Sequence, residues 1–583
     1  MSKSVLLLSA FCVILLLHPS TQKETKLTGT PISSDYSSPL ISNPFDGNIN
    51  TEFKSSQSSK GWIGLKLDSK YLITKIGFAL KTNDKSDFLL GVFEGSNDIT
   101  FIESYTLSMI LDGEPNKLNY LEVKVSKKFK YIRYLGPSKK YCPISLLEIY
   151  TDEEKDLEED SFYYQPTNIP LVTIHTKESI EPYDKDHYIT CNILITDKNK
   201  KNVQATAGIR LRGNSTSRLD KRPYRLKFDN KIQPLSLSAN AKSWTLLANH
   251  SDKTLIRTLV GLKISTLFEM TYTPKCQLVD LILNGEYIGN YGLCDLVEKH
   301  KGRVEVTDMD KTCIKKPEVT GGYFFTADAY AAQEGYFYNT TRGIIYTIKY
   351  PSQSDIVKEQ VEYFTNFFNE LESEVYDNNT VDKVDIYSFS KYILISDITA
   401  NGEAFWSCYM TKERNDERFH FGPAWDMDLT FDNDMRVYPT LEKKDFIFKY
   451  GTTSGTMKYF AEKVLANQDV INALKEVWGN YKSKIAPNIL VDFINEQVKN
   501  IDESQKLNFM RWDILNKQVL VNPVVRGSYE AEVDYLRYYV KARYDILNEL
   551  VENLTPEKVL AKVENENKVD RRVNKYFDNI DFL

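Results

Sequence analysis

Residues 208–228 read GIRLRGNSTSRLDKRPYRLKF, an alternating stretch rich in arginine and lysine. Apolar and cationic side chains alternate in GIRLR and again in YRLKF, which predicts two β-strands joined by a polar connection. Arg210 and Arg212 share one face of the first strand, and Arg225 and Lys227 share one face of the second. Seven cations within 18 residues of an acidic protein indicate a site for an anion such as phosphate. The alternative is a solvated basic face, which is common in hairpins.

A second segment, FHFGPAWDMDLTFDND at residues 419–434, contains four aspartates. Its apolar first half predicts a strand, and since strand side chains alternate faces, Asp426 and Asp428 should project to the same side. Two adjacent carboxylates repel each other unless a cation lies between them, and hard divalent ions prefer oxygen ligands. We therefore interpret the pair as a metal site with a nucleotide phosphate as co-ligand. The alternative is an acidic loop in solvent.

A helix is predicted over residues 254–270, with Ser251 or Asp252 as its N-cap. Arg257 lies in its first turn, where the helix dipole opposes a cation. This position indicates a specific anionic partner for Arg257. The alternative is an ordinary surface pair with Asp252 or Glu298.

Length and composition predict a multidomain globular protein. The chain has 583 residues, and its 42% hydrophobic content excludes a wholly disordered protein. A net charge of −6 argues against nucleic acid as the main partner. Residues 1–22 contain Lys3 and an apolar run from Val5 to Leu17, which indicates a cleaved signal peptide. We find no later transmembrane segment, so we expect a protein of the secretory-pathway lumen or the extracellular space.

One cysteine pair can be predicted from the geometry of a hairpin. LVDLILNGEYIGNYGL, residues 278–293, predicts two strands around an Asn284-Gly285 turn. Folding at this turn places Cys276 opposite or diagonal to Cys294, close enough for a disulfide.

Residues 24–151 are predicted to be all β, because short alternating segments are separated by turn-forming residues. The order and spacing of FDGNINTEF, KGWIGLKL, FEGSND, FKYIRYLG and LLEIY resemble the discoidin family, a jelly-roll sandwich also called the coagulation-factor type C domain. The resemblance implies that loops at one end bind a glycan, a lipid headgroup or a protein. It also implies calcium at Asp46, Asn48 and Glu148, although turn formation explains the DGN sequence equally well.

The remainder is divided by composition. Residues 152–167 are acidic and include Pro166, which predicts a linker, and the charged residues 556–583 predict a loosely held tail. Residues 168–555 show a mixed α+β pattern with a helical C-terminal part. The long helices in that part are predicted at 355–375, 385–400, 457–480 and 529–552.

This α+β region is similar to the spore-coat protein H (CotH) family of secreted atypical protein kinases. The resemblance lies in the cationic and acidic segments described above, together with WTLLANHSDKTLIRT, NGEYIGNYGLCDLVE, GGYFFTAD, IKYP and ITANGEAFWSCYM. It implies an atypical protein-kinase-like domain with ATP and either Mg²⁺ or Mn²⁺ as cofactors. Asp426 would hold the metal that bridges the phosphates, and Asp428 would support it or bind a second ion. The candidates for binding the nucleotide are Lys227, Arg225, Arg210, Arg212, Arg257 and Asn401.

Two positions depart from the family pattern. The catalytic aspartate expected two residues after Asn401 is Glu403, and the glutamate expected after the NGEYIGNY hairpin is Asp295. Each change keeps the carboxylate and alters its reach by one methylene. A base must lie within about 3 Å of the hydroxyl it serves, so Glu403 either works in a relaxed pocket or marks a weak or inactive kinase.

The resemblance therefore implies a secreted Ser/Thr kinase acting on secretory, coat or surface proteins, with Glu403 and Asp426 as catalytic residues. The alternative is a weak or inactive kinase-like surface adhesin or coat protein. It is favoured by Glu403 and by the glycosylation sequons at Asn214 and Asn249, which lie inside two of the motifs. A glycosyltransferase that uses the DMD segment is a third interpretation, although no alternating β/α pattern lies upstream of it.

Overall fold

The computed structural model describes residues 24–152, 163–197, 202–328, 338–451 and 455–562. The predicted signal peptide and most of the predicted linker and of the predicted tail lie outside these residues. The chain divides into two compact units, residues 1–99 with 107–164 and residues 100–106 with 165–583. Within the described ranges, no helix is both long and apolar enough to cross a lipid bilayer.

The N-terminal region is all β, as predicted. A five-stranded sheet of order β2-β4-β9-β6-β7 and a four-stranded sheet of order β1-β11-β5-β8 form a sandwich, and β3 pairs with β10. Phe78 of one sheet and Phe93 of the other contact across the core, with ring centroids 6.0 Å apart. The strands are β1 (Thr25–Leu27), β2 (Gly29–Ser33), β3 (Phe53–Lys54), β4 (Trp62–Leu72), β5 (Lys75–Ala79), β6 (Val92–Ser96), β7 (Ser104–Met109), β8 (Asn119–Glu122), β9 (Lys128–Leu135), β10 (Pro143–Ile144) and β11 (Leu146–Thr151).

The second unit begins with a closed barrel of order β12-β13-β14-β15-β16-β18-β17. Its strands are β12 (Leu171–Thr176), β13 (Ile189–Thr196), β14 (Val203–Leu211), β15 (Tyr224–Ile232), β16 (Ala241–Leu247), β17 (Cys276–Leu283) and β18 (Glu286–Asp295). The two predicted cationic strands are β14 and β15, whose antiparallel register places Arg210 opposite Arg225. Alternating apolar residues of these strands, such as Ile209 and Leu226, fill the barrel.

The predicted hairpin between β17 and β18 is confirmed. Asn284 and Gly285 have φ angles of 52° and 81°, as a tight two-residue hairpin turn requires. The register places Cys276 opposite Cys294, and the two form the predicted disulfide. The remaining cysteines of the described ranges are buried thiols, Cys142, Cys191, Cys313 and Cys408.

A five-stranded sheet and a helical layer complete the second unit. The sheet has the order β20-β21-β19-β22-β23, with β19 (Tyr323–Asp328), β20 (Tyr338–Asn339), β21 (Ile345–Tyr350), β22 (Ser407–Lys412) and β23 (Phe419–Phe421). The helices are α1 (Arg257–Leu267), α2 (Lys358–Ser373), α3 (Ile386–Ile398), α4 (Gly455–Leu465), α5 (Gln468–Tyr481), α6 (Pro487–Asn500), α7 (Asp502–Arg511), α8 (Tyr529–Glu552) and α9 (Pro556–Leu560).

The predicted helical C-terminal part is confirmed, with one helix divided in two. The predicted helix at 457–480 forms α4 and α5, because the Asn467 side chain accepts a hydrogen bond from the backbone N–H of Asp469 and caps a new helix. Helix α3 is central to this layer, since Ile393, Leu394 and Ile395 are fully buried. The C-terminal end of α3 leads directly into the segment that carries Glu403.

Candidate active site

A cleft of about 380 Å³ opens in the second unit where the β14–β15 connection faces the segments that precede β22 and follow β23. Its cationic lining residues are Lys185, Arg210, Arg212, Arg225 and Lys349. Its carboxylates are Glu403, Asp426 and Asp428. The cationic hairpin and the acidic segment, which are about 200 residues apart in sequence, therefore line one cleft.

Two arginines of the cationic hairpin provide hydrogen-bond donors for an anion. Within the described ranges, the buried Nε atoms of Arg210 and Arg225 have no hydrogen-bond partner. The guanidinium of Arg210 is held over the ring of Tyr188, at 4.7 Å from its centroid. Since a buried unpaired donor costs free energy, phosphate oxygens are suitable partners for these groups.

Arg212 lies closer to the carboxylates of the cleft. Burial lowers the pKa of its guanidinium, and the charge of Asp426 opposes that effect. Arg212 therefore balances part of the acidic segment as well as adding to the positive charge of the cleft.

The acidic segment does not form the predicted strand over Asp426 and Asp428. Strand β23 ends at Phe421, and Asp426 adopts a φ angle of 64°. Met427 instead packs against Gly261 of α1, where an added Cβ would lie 2.9 Å from the Met427 side chain. Because Met427 is buried against this helix, Asp426 and Asp428 on either side of it both line the cleft. The sequence predicted that these two side chains lie together, but from the alternation of a strand that does not form.

Asp428 is held in the cleft by a hydrogen bond. The Ser251 hydroxyl donates to its carboxylate at 3.0 Å, and Asn433 donates to the backbone oxygens of both residues. Burial, together with the nearby charge of Glu403, raises the pKa of Asp428 to about 6. A bound cation would favour the ionised form of this carboxylate.

The other two aspartates of the segment have structural partners. Asp432 accepts hydrogen bonds from the backbone N–H of Thr440 at 2.8 Å and from the Tyr535 hydroxyl at 2.5 Å. Asp434 forms an ion pair with Arg436, with 2.7 Å between Oδ2 and Nη2. The segment therefore contributes two carboxylates to the cleft and two to its support.

Glu403 lines the cleft beside this support. Its Oε1 lies 2.7 Å from Nη1 of Arg436, and its backbone N–H donates to Oδ1 of Asn401 at 2.9 Å. Burial raises the pKa of Glu403, Arg436 lowers it, and Asp426 and Asp434 raise it. The buried Asn401 side chain shapes the turn that presents Glu403 and is not part of the cleft lining, so its predicted contact with the cofactor is replaced by this role.

Two further predictions about cations need correction. Arg257 is fully buried, with Nη1 2.6 Å from Asp252 and Nη2 3.5 Å from Glu532, so it stabilises the fold and does not bind a cofactor. Lys227 is exposed and lies outside the cleft lining. Lys349 of β21 lines the cleft and was missed, although it lies in the IKYP motif.

The carboxylate expected after the hairpin also has a structural role. Asp295 is fully buried, and its Oδ2 accepts hydrogen bonds from the backbone N–H of Lys275 at 2.9 Å and from Ser238. Glu298 interacts with a residue of the cationic hairpin, because burial raises its pKa and the charges of Arg303 and Arg225 lower it. Glu298 is therefore better placed than Asp295 to interact with the cationic hairpin.

The residues of the two predicted metal sites, one in each unit, differ in how well they fit a metal ion. Within the described ranges, no group of three or more His, Cys, Asp or Glu side chains could hold a metal ion. Asp426 and Asp428 nevertheless fit Mg²⁺ or Mn²⁺, because such ions often take one or two carboxylates and complete their shell with phosphate oxygens and water.

The calcium site of the first unit does not fit. Asp46 accepts hydrogen bonds from the backbone N–H of Asn48 at 2.7 Å and from the Thr51 hydroxyl at 2.8 Å, as in a turn. Glu148 is instead bound by Lys26 and Tyr150, each at 2.6 Å. Separate protein donors satisfy these two carboxylates, so they do not fit a shared calcium ion.

Comparison with known proteins gives one family and several structural relatives. The family model described as CotH kinase protein matches residues 209–547. The N-terminal sandwich resembles the CBM62 module of Xyl5A from Clostridium thermocellum, with 28% identity over 22% of this chain and 97% of that module and a TM-score of 0.21. It also resembles the family 32 module of NanJ from Clostridium perfringens, solved with galactose, with 18% identity over 22% and 98% and a TM-score of 0.18. No curated protein matches the chain.

Proposed function

Because the chain belongs to the CotH kinase protein family, we propose that it transfers the γ-phosphate of ATP to Ser or Thr hydroxyls of secretory, coat or surface proteins. The observation that carries this proposal is the single cleft lined by the cationic hairpin and by Asp426 and Asp428. Such a site suits phosphoryl transfer, in which catalysis is mainly positioning and charge neutralisation. The predicted signal peptide, residues 1–22, supports a site of action in the secretory lumen or outside the cell.

The residues of the cleft divide the binding of ATP between them. Arg210 and Arg225 would donate to phosphate oxygens through groups that have no protein partner in the described ranges. Lys349 would add a point charge from the facing sheet. Asp426 and Asp428 would hold Mg²⁺ or Mn²⁺, which neutralises phosphate charge when bound.

Glu403 is the group best placed to serve the acceptor hydroxyl. Its Oε1 is engaged by Arg436, and in the described ranges Oε2 forms no hydrogen bond with the protein. Oε2 can therefore accept the proton of a Ser or Thr hydroxyl in the cleft. Burial raises the pKa of Glu403 and the charge of Asp426 raises it as well, and both carboxylates line the cleft.

Thermal unfolding tests the nucleotide site. We expect ATP with Mn²⁺ to stabilise the protein by about 2.7 kcal/mol at a ligand concentration near 100 times Kd, and ATP alone to stabilise it less. Asp426→Ala should abolish this metal-dependent shift and reduce transfer of labelled phosphate to a Ser-rich protein about 100-fold or more. The exposed Asp513, which pairs with Lys517 at 2.8 Å, provides the control variant Asp513→Ala.

The outcomes separate kinase from non-catalytic protein. A metal-dependent shift with phosphate transfer supports the kinase, and a shift without transfer favours an inactive nucleotide-binding relative. No shift with ATP and Mn²⁺ in the wild-type protein would overturn the nucleotide site and favour a surface adhesin or coat protein.

The first unit would direct this activity to a carbohydrate. Tyr36 is 86% exposed and Tyr141 is 44% exposed, although large rings are usually buried. Asp35 binds Ser56, and Ser55 binds Cys142, so the loops that carry both rings are tied to the same segment. Exposed rings on adjacent loops are suitable for contact with the face of a sugar, and a protein ligand is the alternative occupant.

A further inference from the structure

Arg436 joins two carboxylates of the second unit through separate edges of its guanidinium. Its Nε lies 2.8 Å from Oδ1 of Asp434, and its Nη2 lies 2.7 Å from Oδ2 of the same residue. The remaining nitrogen, Nη1, lies 2.7 Å from Oε1 of Glu403. Asp434 thus receives a two-point contact from Arg436, and Glu403 receives a single contact.

This arrangement fixes the guanidinium before any ligand binds. The side chain of Asp434 is 2% exposed and that of Arg436 is 8% exposed, so water does not compete for their contact. A planar guanidinium bound at two points to a carboxylate has one orientation. Its third nitrogen therefore presents Glu403 with a donor at a defined position.

The backbone around Glu403 is packed onto the same support. An added Cβ at Gly402 would lie 2.8 Å from Cγ1 of Val437 and 3.4 Å from Oδ2 of Asp434. The turn itself is closed by the hydrogen bond from the N–H of Glu403 to Asn401. The position of the Glu403 backbone is thus set by the segment that also carries Arg436.

We propose that Arg436, anchored by Asp434, is the positioning residue for Glu403, and that it holds Oε1 so that Oε2 is directed to the acceptor hydroxyl. This inference rests on the proposed phosphoryl-transfer function. In this site the length of the glutamate side chain fits the position of Arg436, so glutamate and not aspartate is the active form.

The contact between Glu403 and Arg436 depends on the length of the glutamate side chain. Shortening Glu403 to aspartate withdraws the carboxylate by about 1.5 Å, one C–C bond, while Arg436 remains bound to Asp434. The contact of 2.7 Å would then be lost. A misplacement of about 1 Å can reduce catalysis about 100-fold, so Glu403→Asp should impair this enzyme although it restores the residue expected from the family pattern.

Steady-state kinetics of the full chain with ATP and Mn²⁺ test the proposal. We expect Glu403→Asp and Arg436→Gln each to lower kcat about 10- to 100-fold, with the KM for ATP within about 2-fold of wild type. Arg436→Lys keeps the charge without the fork and should recover part of kcat. In the Glu403→Gln variant, adding Arg436→Gln should lower kcat by less than about 3-fold more, because Arg436 acts through the carboxylate that is already missing.

Thermal unfolding without nucleotide gives a readout independent of activity. Glu403→Gln and Arg436→Gln should lower the midpoint by less in combination than the sum of their separate effects, since they share one contact. Glu403→Asp leaves the buried Arg436–Asp434 pair intact, so it remains informative if Arg436→Gln fails to fold.

Three results would overturn the positioning role while leaving the proposed function in place. These are wild-type kcat in Glu403→Asp, wild-type kcat in folded Arg436→Gln, and fully additive effects on kcat in the double variant. Absence of phosphate transfer by wild-type protein would instead refute the proposed function, and the positioning role with it.

Discussion

The positions of Lys349 and Lys227 along their strands determine which of the two lysines lines the cleft. Lys227 pairs in register with Gly208 and Ser243, two positions beyond Arg225 along β15. The cleft reaches only the end of β15 that adjoins the connection to β14, so Arg225 lines it and Lys227 does not. Lys349 reaches the same cleft from β21 of the facing sheet.

We predict that Lys349→Ala raises the KM for ATP about 10-fold or more, because a charge-assisted contact to phosphate is lost. Lys227→Ala should leave the KM within about 2-fold of wild type and serves as the matched control. Steady-state kinetics at saturating acceptor protein measure both. The reverse ranking would show that the phosphate lysine is the one on β15.

Residue roles could be predicted from the sequence only where local pattern decides them. The period of two placed Arg210 with Arg212 on one strand face and Arg225 with Lys227 on another. The pairing of the two predicted strands, with Arg210 opposite Arg225, agrees with this pattern. Arg257 could not be assigned in the same way, because its second partner, Glu532, is 275 residues away. The role of Arg436 could not be predicted from the sequence either, because it depends on Glu403 and Asp434 lying close together in the folded protein.

At the scale of elements, the hairpin β17–β18 was predictable and the end of β23 was not. Asn-Gly imposes a turn by backbone geometry alone, so both strands and the opposed cysteines follow from the sequence. The apolar first half of residues 419–434 predicts a strand, yet β23 ends at Phe421, Met427 packs on α1 and Asp426 adopts a positive φ angle. Tertiary packing decides that segment over its local propensity.

We predict that removing the disulfide destabilises the second unit by about 3 kcal/mol, because Cys276 and Cys294 are 18 residues apart and close a loop of that size. Unfolding of the double variant Cys276→Ala/Cys294→Ala by denaturant measures the change. A reductant should lower the stability of wild type and leave that of the double variant unchanged. Equal stability of wild type with and without reductant would show that the bond does not stabilise the fold.

At the scale of the whole molecule, each unit has its own fold. The all-β N-terminal region and the following α+β region were predicted from strand-length patterns, turn residues and later helical periodicity, and both are confirmed. The closed barrel was not predicted, because β12 and β17 pair in parallel across about 100 residues. Such closure depends on partners that no local pattern identifies.

We predict that the first unit binds glycans through its exposed loop tyrosines. Tyr36→Ala in the full chain should weaken binding to the glycans retained by wild type about 10-fold or more, because an exposed ring supplies much of the contact area. Tyr120→Ala is the matched control, since Tyr120 is 52% exposed but lies on β8. Binding can be compared on a glycan array. Equal loss in both variants, or none in either, would contradict this assignment.

A crystal structure with Mn²⁺ and a non-hydrolysable ATP analogue would show whether the cleft of the second unit binds a metal and a triphosphate. Anomalous scattering locates the metal independently of the protein atoms. We expect an Mn²⁺ peak about 2.2 Å from carboxylate oxygens of Asp426 and Asp428, with phosphate oxygens within hydrogen-bond distance of Arg210 and Arg225. A metal and triphosphate bound outside the cleft, or a cleft that stays empty at saturating nucleotide, would contradict the account.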